Sequence, residues 1–174
     1  PAGVGPPVTG AALVLEDERP VFAVFNIGDS RVYGLAGNEL VRITTDHSVV
    51  QELVDAGLLA AEDAEHHPES NVITRALGFR DDPRPDIVMV PARAGLRLLI
   101  CSDGLTKELD DGRIRLHLAA GMPPDETAAA LVDAALAAGG RDNVTVAVVD
   151  VIEAPETLPD QAGAPVQGPP DLGD

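Results

Sequence analysis

The sequence has few aromatic residues, few basic residues and a single cysteine. There is no Trp, and the only aromatic side chains are Phe22, Phe25, Tyr33 and Phe79, so the stacking platforms of single-strand nucleic-acid binders are missing. Lys and Arg number 12 against 29 Asp and Glu, a formal net charge of −17. This charge argues against nucleic acid as a partner, because such binding needs cations that displace counterions. One cysteine, Cys101, excludes a disulfide framework and a Cys-based zinc site.

Long apolar runs are also missing. No stretch reaches membrane-spanning length, and no signal peptide is visible, which predicts a cytoplasmic protein without a membrane segment. What is present is an apolar fraction of 45% in 174 residues, enough for the aliphatic core of one domain. The chain begins with Pro1 rather than Met, which indicates processing or a piece of a longer chain.

The hydrophobic pattern predicts many antiparallel strands followed by grouped helices, an α+β fold rather than alternating βαβ units. Seven strands are predicted, at residues 11–16, 20–27, 31–35, 39–43, 86–91, 96–102 and 143–152. The last of these is apolar on both faces, which predicts a central position in its sheet. Helices are predicted at about 48–56, where Ser48 is a suitable N-cap, and at 110–120 and 124–138, with helix and loop at 60–70.

Three regions follow from composition. Residues 1–10 are rich in Gly and Pro and predict a linker or the end of a preceding part. Residues 11–152 form the folded domain. Residues 153–174 are acidic and rich in Pro and Gly, so we expect a disordered tail that cannot build a packed core.

Three Asp residues stand where predicted strands end or begin, each beside Gly. Asp29 follows Ile27-Gly28, Asp103 follows the strand that ends at Ser102, and Asp142 precedes the last strand. Carboxylates at strand ends are a common way to present oxygen ligands to a hard cation, and oxygen-only ligation favours Mg²⁺, Mn²⁺ or Ca²⁺ over zinc. Each of the three sequences is also an ordinary turn sequence, and spacing alone does not show that the carboxylates converge.

The order of five motifs carries a more specific signal. They are Asn26-Ile27-Gly28-Asp29-Ser30-Arg31, Thr45-Asp46-His47-Ser48, Val72-Ile73-Thr74-Arg75-Ala76-Leu77-Gly78, Leu99-Ile100-Cys101-Ser102-Asp103-Gly104-Leu105 and Gly140-Arg141-Asp142-Asn143-Val144-Thr145. With these motifs, roughly residues 8–152 resemble the metal-dependent protein phosphatases of the 2C type, in their bacterial Ser/Thr phosphatase branch.

The resemblance implies two packed antiparallel sheets flanked by helices, with a metal centre at one edge. Family members hold two Mg²⁺ or Mn²⁺ ions, and a bridging hydroxide attacks the phosphorus of phosphoserine or phosphothreonine. By position, Asp103 and Asp142 match the ligands of one ion. Asp29 matches a ligand of a third ion, which shares Asp103, and Asn71 is a weaker match at that third site.

Residues 44–70 match the mobile flap beside the family's active site, where substrates are selected. Two further residues are assigned to the substrate or the flap. His47 is a candidate substrate or catalytic contact. Arg75 either pairs with an acid near the site or anchors the flap.

The family's N-terminal part has no counterpart in this sequence. That part carries an Arg that grips the phosphate and an Asp-Gly-x-Gly-Gly motif whose Asp bridges two metals. We therefore expect an N-terminally truncated piece or a naturally shortened relative, and no appreciable phosphatase activity from the 174 residues alone.

The main functional hypothesis is a protein Ser/Thr phosphatase catalytic domain, here incomplete. It acts on a phosphorylated protein substrate, with a Ser/Thr kinase or its targets as expected partners. The alternative is a non-catalytic regulatory or binding module on the same fold. A phosphatase of small molecules or of an anti-sigma-factor antagonist is a weaker third possibility.

Overall fold

The computed structural model describes residues 5–78 and 84–155. The strands are β1 (Val8–Glu16), β2 (Arg19–Ile27), β3 (Arg31–Ala36), β4 (Glu39–Arg42), β5 (Asp86–Pro91), β6 (Leu96–Cys101) and β7 (Val146–Asp150). The helices are α1 (Val49–Asp55), a 3₁₀ helix (Ala61–His66), α2 (Asp103–Thr106), α3 (Asp111–Leu118) and α4 (Pro124–Ala138). One antiparallel sheet has the order β1-β2-β5 and the other the order β4-β3-β6-β7. The predicted α+β fold of two antiparallel sheets flanked by helices is confirmed.

The hairpin of β1 and β2 turns at Asp17 and Glu18. Both residues have positive φ, 48° and 64°, as the central residues of a type I′ turn require, and this turn matches the right-handed twist of paired strands. The register pairs Glu16 with Arg19 and Val8 with Ile27. The hairpin thus brings the end of β2 to the sheet edge where Gly28 and Asp29 follow.

Strand β6 is covered on both faces because its side chains alternate. Leu98 packs between the sheets with Phe22 and Val24 of β2. Leu99 points the other way, into a second cluster with Ile114 of α3 and Leu131 of α4. A strand fixed on both faces ends at Cys101, so it delivers the following Asp103 to a rigid position.

Two strands have a boundary that differs from the sequence-based prediction by more than two residues. Strand β1 begins at Val8, not at residue 11, because residues 8–10 continue the ladder opposite Phe25–Ile27, so part of the predicted linker is sheet. Strand β7 covers only Val146–Asp150 and, among the described residues, lies at the edge of its sheet. The prediction of a central strand is therefore wrong. The apolar side chains of β7 are covered by helix α4, which packs against the strand, and not by a second neighbouring strand.

The predicted tail lies mostly outside the described residues. Residues 153–155 are described and belong to no helix or strand, and residues 156–174 are not described. The same holds for residues 1–4 of the predicted linker. No helix in the described part of the chain has the length and apolar character needed to cross a bilayer.

Candidate metal centre

A polar cavity of about 640 Å³ opens at one end of the two sheets. It is bordered by residues from the loop after β2, from the segment 46–71 and from the turn after β6. The last part of its wall comes from the loop before β7. The bordering residues are Asp29, Arg31, Asp46, Ser48, Val50, Ala64, Ser70, Asn71, Asp103, Thr106, Lys107, Arg141 and Asp142. The predicted ligands Asp29, Asn71, Asp103 and Asp142 therefore border one cavity, whereas His47 and Arg75 are not among these bordering residues.

The turn after β6 packs directly on the loop before β7. Ser102 Oγ donates to the carbonyl oxygen of Asn143 (3.1 Å) and accepts from the backbone N–H of Thr145 (3.0 Å). A Cβ on Gly104 would lie 2.3 Å from the Asn143 carbonyl oxygen, so only glycine allows this approach. The Ser102-Asp103-Gly104 sequence thus brings Asp103 beside Asp142, 39 residues further along the chain.

Asp103 and Asp142 share one cation, the ammonium group of Lys107. Its Nζ lies 2.5 Å from Asp103 Oδ2 and 3.1 Å from Asp142 Oδ2. The pKa of Lys107 is raised: partial burial opposes the shift, but the hydrogen bonds with Asp103 and Asp142 outweigh it. The pKa of Asp142 is lowered by the backbone N–H of Asn143 and by Lys107.

At Asp29 the compensation is incomplete, since Lys107 and a backbone hydrogen bond favour the ionised form but are outweighed. Burial and repulsion by Asp103 raise the pKa of Asp29, the sign expected where carboxylates face one another with too few cations. In the described ranges, no group of three or more His, Cys, Asp or Glu side chains is close enough to hold a metal ion. We call Asp29, Asp103, Asp142 and Lys107 the acidic face of the cavity.

The cavity is also bordered by an ion pair, Arg31 with Asp46, for which the sequence predicted no role. Arg31 Nε donates to both carboxylate oxygens of Asp46 (3.0 Å each), and Nη2 donates to Oδ2 at 2.6 Å. Asp46 is only 8% exposed, so this pairing raises the pKa of Arg31 despite its burial. The Arg31 guanidinium also donates to the hydroxyl of Tyr33, which in turn donates to Asp111.

His47 lies behind this ion pair and joins three segments. Its Nδ1 accepts from the backbone N–H of Gly28 (3.1 Å), and its own backbone N–H donates to the Gly28 carbonyl oxygen (2.8 Å). On the other side, Nε2 contacts Asp86 Oδ2 at 3.0 Å. Because Nδ1 accepts a hydrogen bond, the neutral imidazole has its N–H group at Nε2. This N–H donates a hydrogen bond to the carboxylate of Asp86.

Arg75 contacts the same carboxylate, with Nη1 donating to Asp86 Oδ1 at 2.9 Å. The pKa of Asp86 is lowered, because the contacts with His47 and Arg75 outweigh its partial burial. Arg75 thus pairs with an acid that, like Arg75 itself, is not among the residues bordering the cavity, and the assignment of Arg75 to the substrate or the flap stays a prediction. We call Arg31, Asp46, His47 and Asp86 the flap root.

A scan against models of protein families finds no match. Individual relatives do match. Over 141 residues the chain is 40% identical to the protein phosphatase PhpP of Streptococcus pneumoniae, and the match covers 81% of this chain and 56% of PhpP.

Solved structures have the same fold. The crystal structure of the Mycobacterium tuberculosis serine/threonine phosphatase PstP/Ppp matches with a TM-score of 0.74 and 41% identity, covering 83% of this chain and 60% of that one. A catalytic domain of PstP in complex with two manganese ions matches with a TM-score of 0.70 and 40% identity, over 83% of this chain and 59% of that one.

The chain thus spans less than two thirds of the length of these relatives. Within that span, the sequence identity of 40–41% is far above the level at which only a fold is shared. The solved structures also share the fold of this chain, with TM-scores of 0.74 and 0.70. Sequence and fold together show that the chain belongs to the metal-dependent protein phosphatases of the 2C type, in the branch of the bacterial serine/threonine phosphatases.

Proposed function

We propose that the chain is part of the catalytic domain of a metal-dependent protein Ser/Thr phosphatase, which hydrolyses phosphoserine and phosphothreonine in proteins. One observation supports this most strongly. Two carboxylates from separate segments, Asp103 and Asp142, point at a single cation inside a cavity. The chain that contains them is 40% identical to a protein phosphatase over four fifths of its length.

The donor set of the acidic face fits a divalent metal ion. All its acceptors are carboxylate oxygens, which suit Mn²⁺ and Mg²⁺, and Mg²⁺ commonly binds through one or two carboxylates plus water and substrate phosphate. Asp103 and Asp142 would hold one ion. Asp29 would hold a further ion with Asp103, with Asn71 at its border. Metal ions bound there supply a positive charge that polarises a phosphoryl oxygen and the attacking water.

The residues of the chain would set the position of that charge. The contact between Ser102 and the loop at Asn143 holds the two carboxylates together without any metal. Segment 44–70 contributes Ser48, Val50 and Ala64 to the border of the same cavity. This segment is the part of the cavity border that would select the phosphorylated protein, with a Ser/Thr kinase or its targets as partners in the cytoplasm.

We also propose that the 174 residues alone are inactive. The relatives are much longer than the matched span, and the described residues supply only two carboxylates to a shared cation. The catalytic domain of PstP is in complex with two manganese ions, whereas this sequence lacks the Asp-Gly-x-Gly-Gly motif whose Asp would bridge two ions.

The test compares this chain with the same gene product including any coding sequence upstream of Pro1. Both are assayed for Mn²⁺-dependent release of phosphate from a phosphothreonine peptide. We expect turnover only from the longer form, and Asp103→Asn should lower its kcat at least ~100-fold, since even outer-shell partners of a metal are worth 10–100-fold. The matched control is Asp133→Asn on the exposed side of α4, which should leave kcat unchanged.

Near-normal turnover by Asp103→Asn, or full activity after removal of divalent cations with EDTA, would show that the proposed function is wrong. Turnover by the 174-residue chain itself would overturn the proposed inactivity of that piece.

A second candidate function is a non-catalytic regulatory module on the same fold. One observation favours it: the shared cation of Asp103 and Asp142 is an amino group of the chain itself. A start codon directly before Pro1, with no Mn²⁺ binding by the chain, would support this candidate over the enzyme.

A further inference from the structure

Lys107 is the only lysine in the sequence, alongside 11 arginines. It directly follows α2, four residues after Asp103, so its side chain lies over that first residue of the helix. From there Nζ reaches Asp103 Oδ2 at 2.5 Å and Asp142 Oδ2 at 3.1 Å. The one compact ammonium group of the chain therefore lies between the two carboxylates that the proposed function assigns to a metal ion.

We propose that Lys107 is an internal competitor of the divalent cation: its ammonium group occupies the place between Asp103 and Asp142 and has to leave when a metal ion binds. This inference rests on the proposed function, since it concerns the same two ligands. It adds that metal affinity of this chain is set in part by a residue that is not a ligand.

The contacts of Lys107 are suited to exchange. The side chains of Lys107, Asp103 and Asp142 are 35%, 28% and 44% exposed, and ion pairs between such partly exposed groups are weak and screened by solvent. The backbone of Lys107 is held separately, by its N–H donating to the Asp103 carbonyl oxygen at 2.8 Å. The side chain can thus swing away without unwinding α2.

The choice of lysine over arginine supports a role as a cation surrogate. An ammonium group is a compact point charge, whereas a guanidinium is a planar fork that pairs with one carboxylate through two parallel bonds. The two guanidinium groups that border the cavity each pair with a single carboxylate in this way. Arg31 holds Asp46, and Arg141 holds Glu108 through Nε at 2.9 Å and Nη2 at 3.3 Å.

Arg141 also provides the matched control. It borders the same cavity and carries the same charge as Lys107, but its ion pair is with Glu108 and not with the acidic face. Removing Arg141 takes one positive charge from the cavity. Removing Lys107 takes the same charge and also the ammonium group that lies between Asp103 and Asp142.

The first experiment titrates Mn²⁺ into the 174-residue chain and measures free Mn²⁺ by electron paramagnetic resonance. Lys107→Met should bind Mn²⁺ about tenfold more tightly than the unmodified chain, the equivalent of two exposed ion pairs that no longer have to be broken. Lys107→Gln should show the same gain, which guards against a folding defect in one variant. Arg141→Met should change the affinity by less than about twofold, because the Arg141 side chain bonds Glu108 and the Lys107 carbonyl oxygen rather than Asp103 or Asp142, and the lost charge acts only at a distance that salt screens.

Two further variants separate this inference from the proposed function. Asp103→Asn and Asp142→Asn, each made in the Lys107→Met background, should abolish the tight Mn²⁺ site. If they leave it intact, the metal is bound elsewhere and the proposed function fails. If they abolish it while Lys107→Met and Lys107→Gln bind no more tightly than the unmodified chain, only the role of Lys107 is overturned.

The second experiment uses the unmodified chain and needs no substitution. Lys107 carries the only ε-amino group, so acetylation by N-hydroxysuccinimide acetate, followed by mass spectrometry of the peptide 98–113, reports on it alone. Saturating Mg²⁺ should speed this acetylation several-fold as the ammonium leaves the carboxylates. An unchanged or slower rate with bound Mg²⁺ would show that Lys107 stays in place and would refute the competition.

Discussion

The acidic face and the Arg31–Asp46 pair of the flap root border one cavity, but the charges of the acidic face and of the flap root are balanced differently. In the flap root, Asp46 is paired with Arg31 and Asp86 with His47 and Arg75. On the acidic face, one ammonium group is paired with Asp103 and Asp142, and its more distant effect on Asp29 leaves the pKa of Asp29 raised. The first arrangement is complete without a ligand. The second lacks positive charge, which is the condition under which a cation binds.

Burial separates the flap root from the acidic face as well. Asp46 and His47 are 8% and 5% exposed, whereas the side chains of Asp103, Lys107 and Asp142 on the acidic face are 28%, 35% and 44% exposed. An ion pair withdrawn from water costs much to break, because the remaining charge is uncompensated, and an exposed pair costs little. The comparison therefore predicts that substitutions in the flap root act on folding and that substitutions on the acidic face act on binding.

The largest effect should come from Arg31→Met. Among the described residues, this change leaves the buried carboxylate of Asp46 with Arg42, at 3.8 Å, as its remaining cation, and removing one partner of a buried ion pair typically costs about 3–5 kcal/mol. Urea unfolding followed by circular dichroism measures the loss. The double variant Arg31→Met with Asp46→Asn should recover part of it, because the uncompensated charge is gone.

The matched substitution on the acidic face is Lys107→Met, which should change the free energy of unfolding far less than Arg31→Met. Equal losses of unfolding free energy in the two variants would contradict the distinction between the flap root and the acidic face. A loss below about 1 kcal/mol for Arg31→Met would show that Arg42 replaces Arg31 as the partner of Asp46.

A smaller effect is expected at His47, and its two nitrogens can be tested apart. Asn places a side-chain oxygen near the position of Nδ1 and keeps an acceptor for the Gly28 N–H, while Gln reaches the position of Nε2 and keeps the contact with Asp86. His47→Gln should therefore cost about 1–3 kcal/mol, the usual penalty for a buried donor without an acceptor, and His47→Asn should cost less.

Hydrogen exchange of the Gly28 amide distinguishes this account from a general packing defect. The amide should lose protection in His47→Gln and keep it in His47→Asn. The opposite order of stabilities would mean that the contact with Asp86, rather than the hold on the Gly28–Asp29 loop, is what His47 contributes.

Much of this architecture follows from local sequence signals. Strand β5 was predicted with its observed bounds, and Ser48 caps α1 as expected, accepting from the N–H of Gln51. These features depend on neighbours in sequence, where hydrophobic period and capping chemistry act directly. The convergence of three Asp residues on one cavity did not follow from spacing. It became an expectation only through the order of the motifs.

What the sequence analysis missed depends on contacts at a distance or on a very short element. Arg31 and Asp46 are 15 residues apart, and nothing local indicates that they pair. The four residues of α2 are too few for a periodic signal, so the helix was not predicted. Without the helix, nothing in the sequence indicated that Lys107, four residues after Asp103, lies one turn away and over its carboxylate. The edge position of β7 was missed because helix α4, rather than a further strand, covers its apolar side chains.

The smallest effect, and the one that sharpens the comparison within the acidic face, is expected at Asp29. Its pKa is raised, so the folded chain binds this proton more tightly than the unfolded chain does. Stability is therefore lost as the pH rises from the ordinary Asp value of 3.8 through the pKa of the folded state. Asp29→Asn removes that loss, and without metal it should raise the melting temperature at pH 7 by about 2–4 °C, a value limited by solvent screening.

The gain from Asp29→Asn should shrink as the pH falls through the raised pKa and vanish below 3.8, which melting curves at several pH values would show. Asp142→Asn is the control of opposite sign. The pKa of Asp142 is lowered by the Asn143 N–H and by Lys107, so its carboxylate stabilises the fold above 3.8, and its loss should lower the melting temperature at pH 7. If both substitutions shifted the melting temperature in the same direction, the acidic face would be uniform. Asp29 would then not be the least compensated carboxylate, the one that distinguishes the acidic face from the flap root.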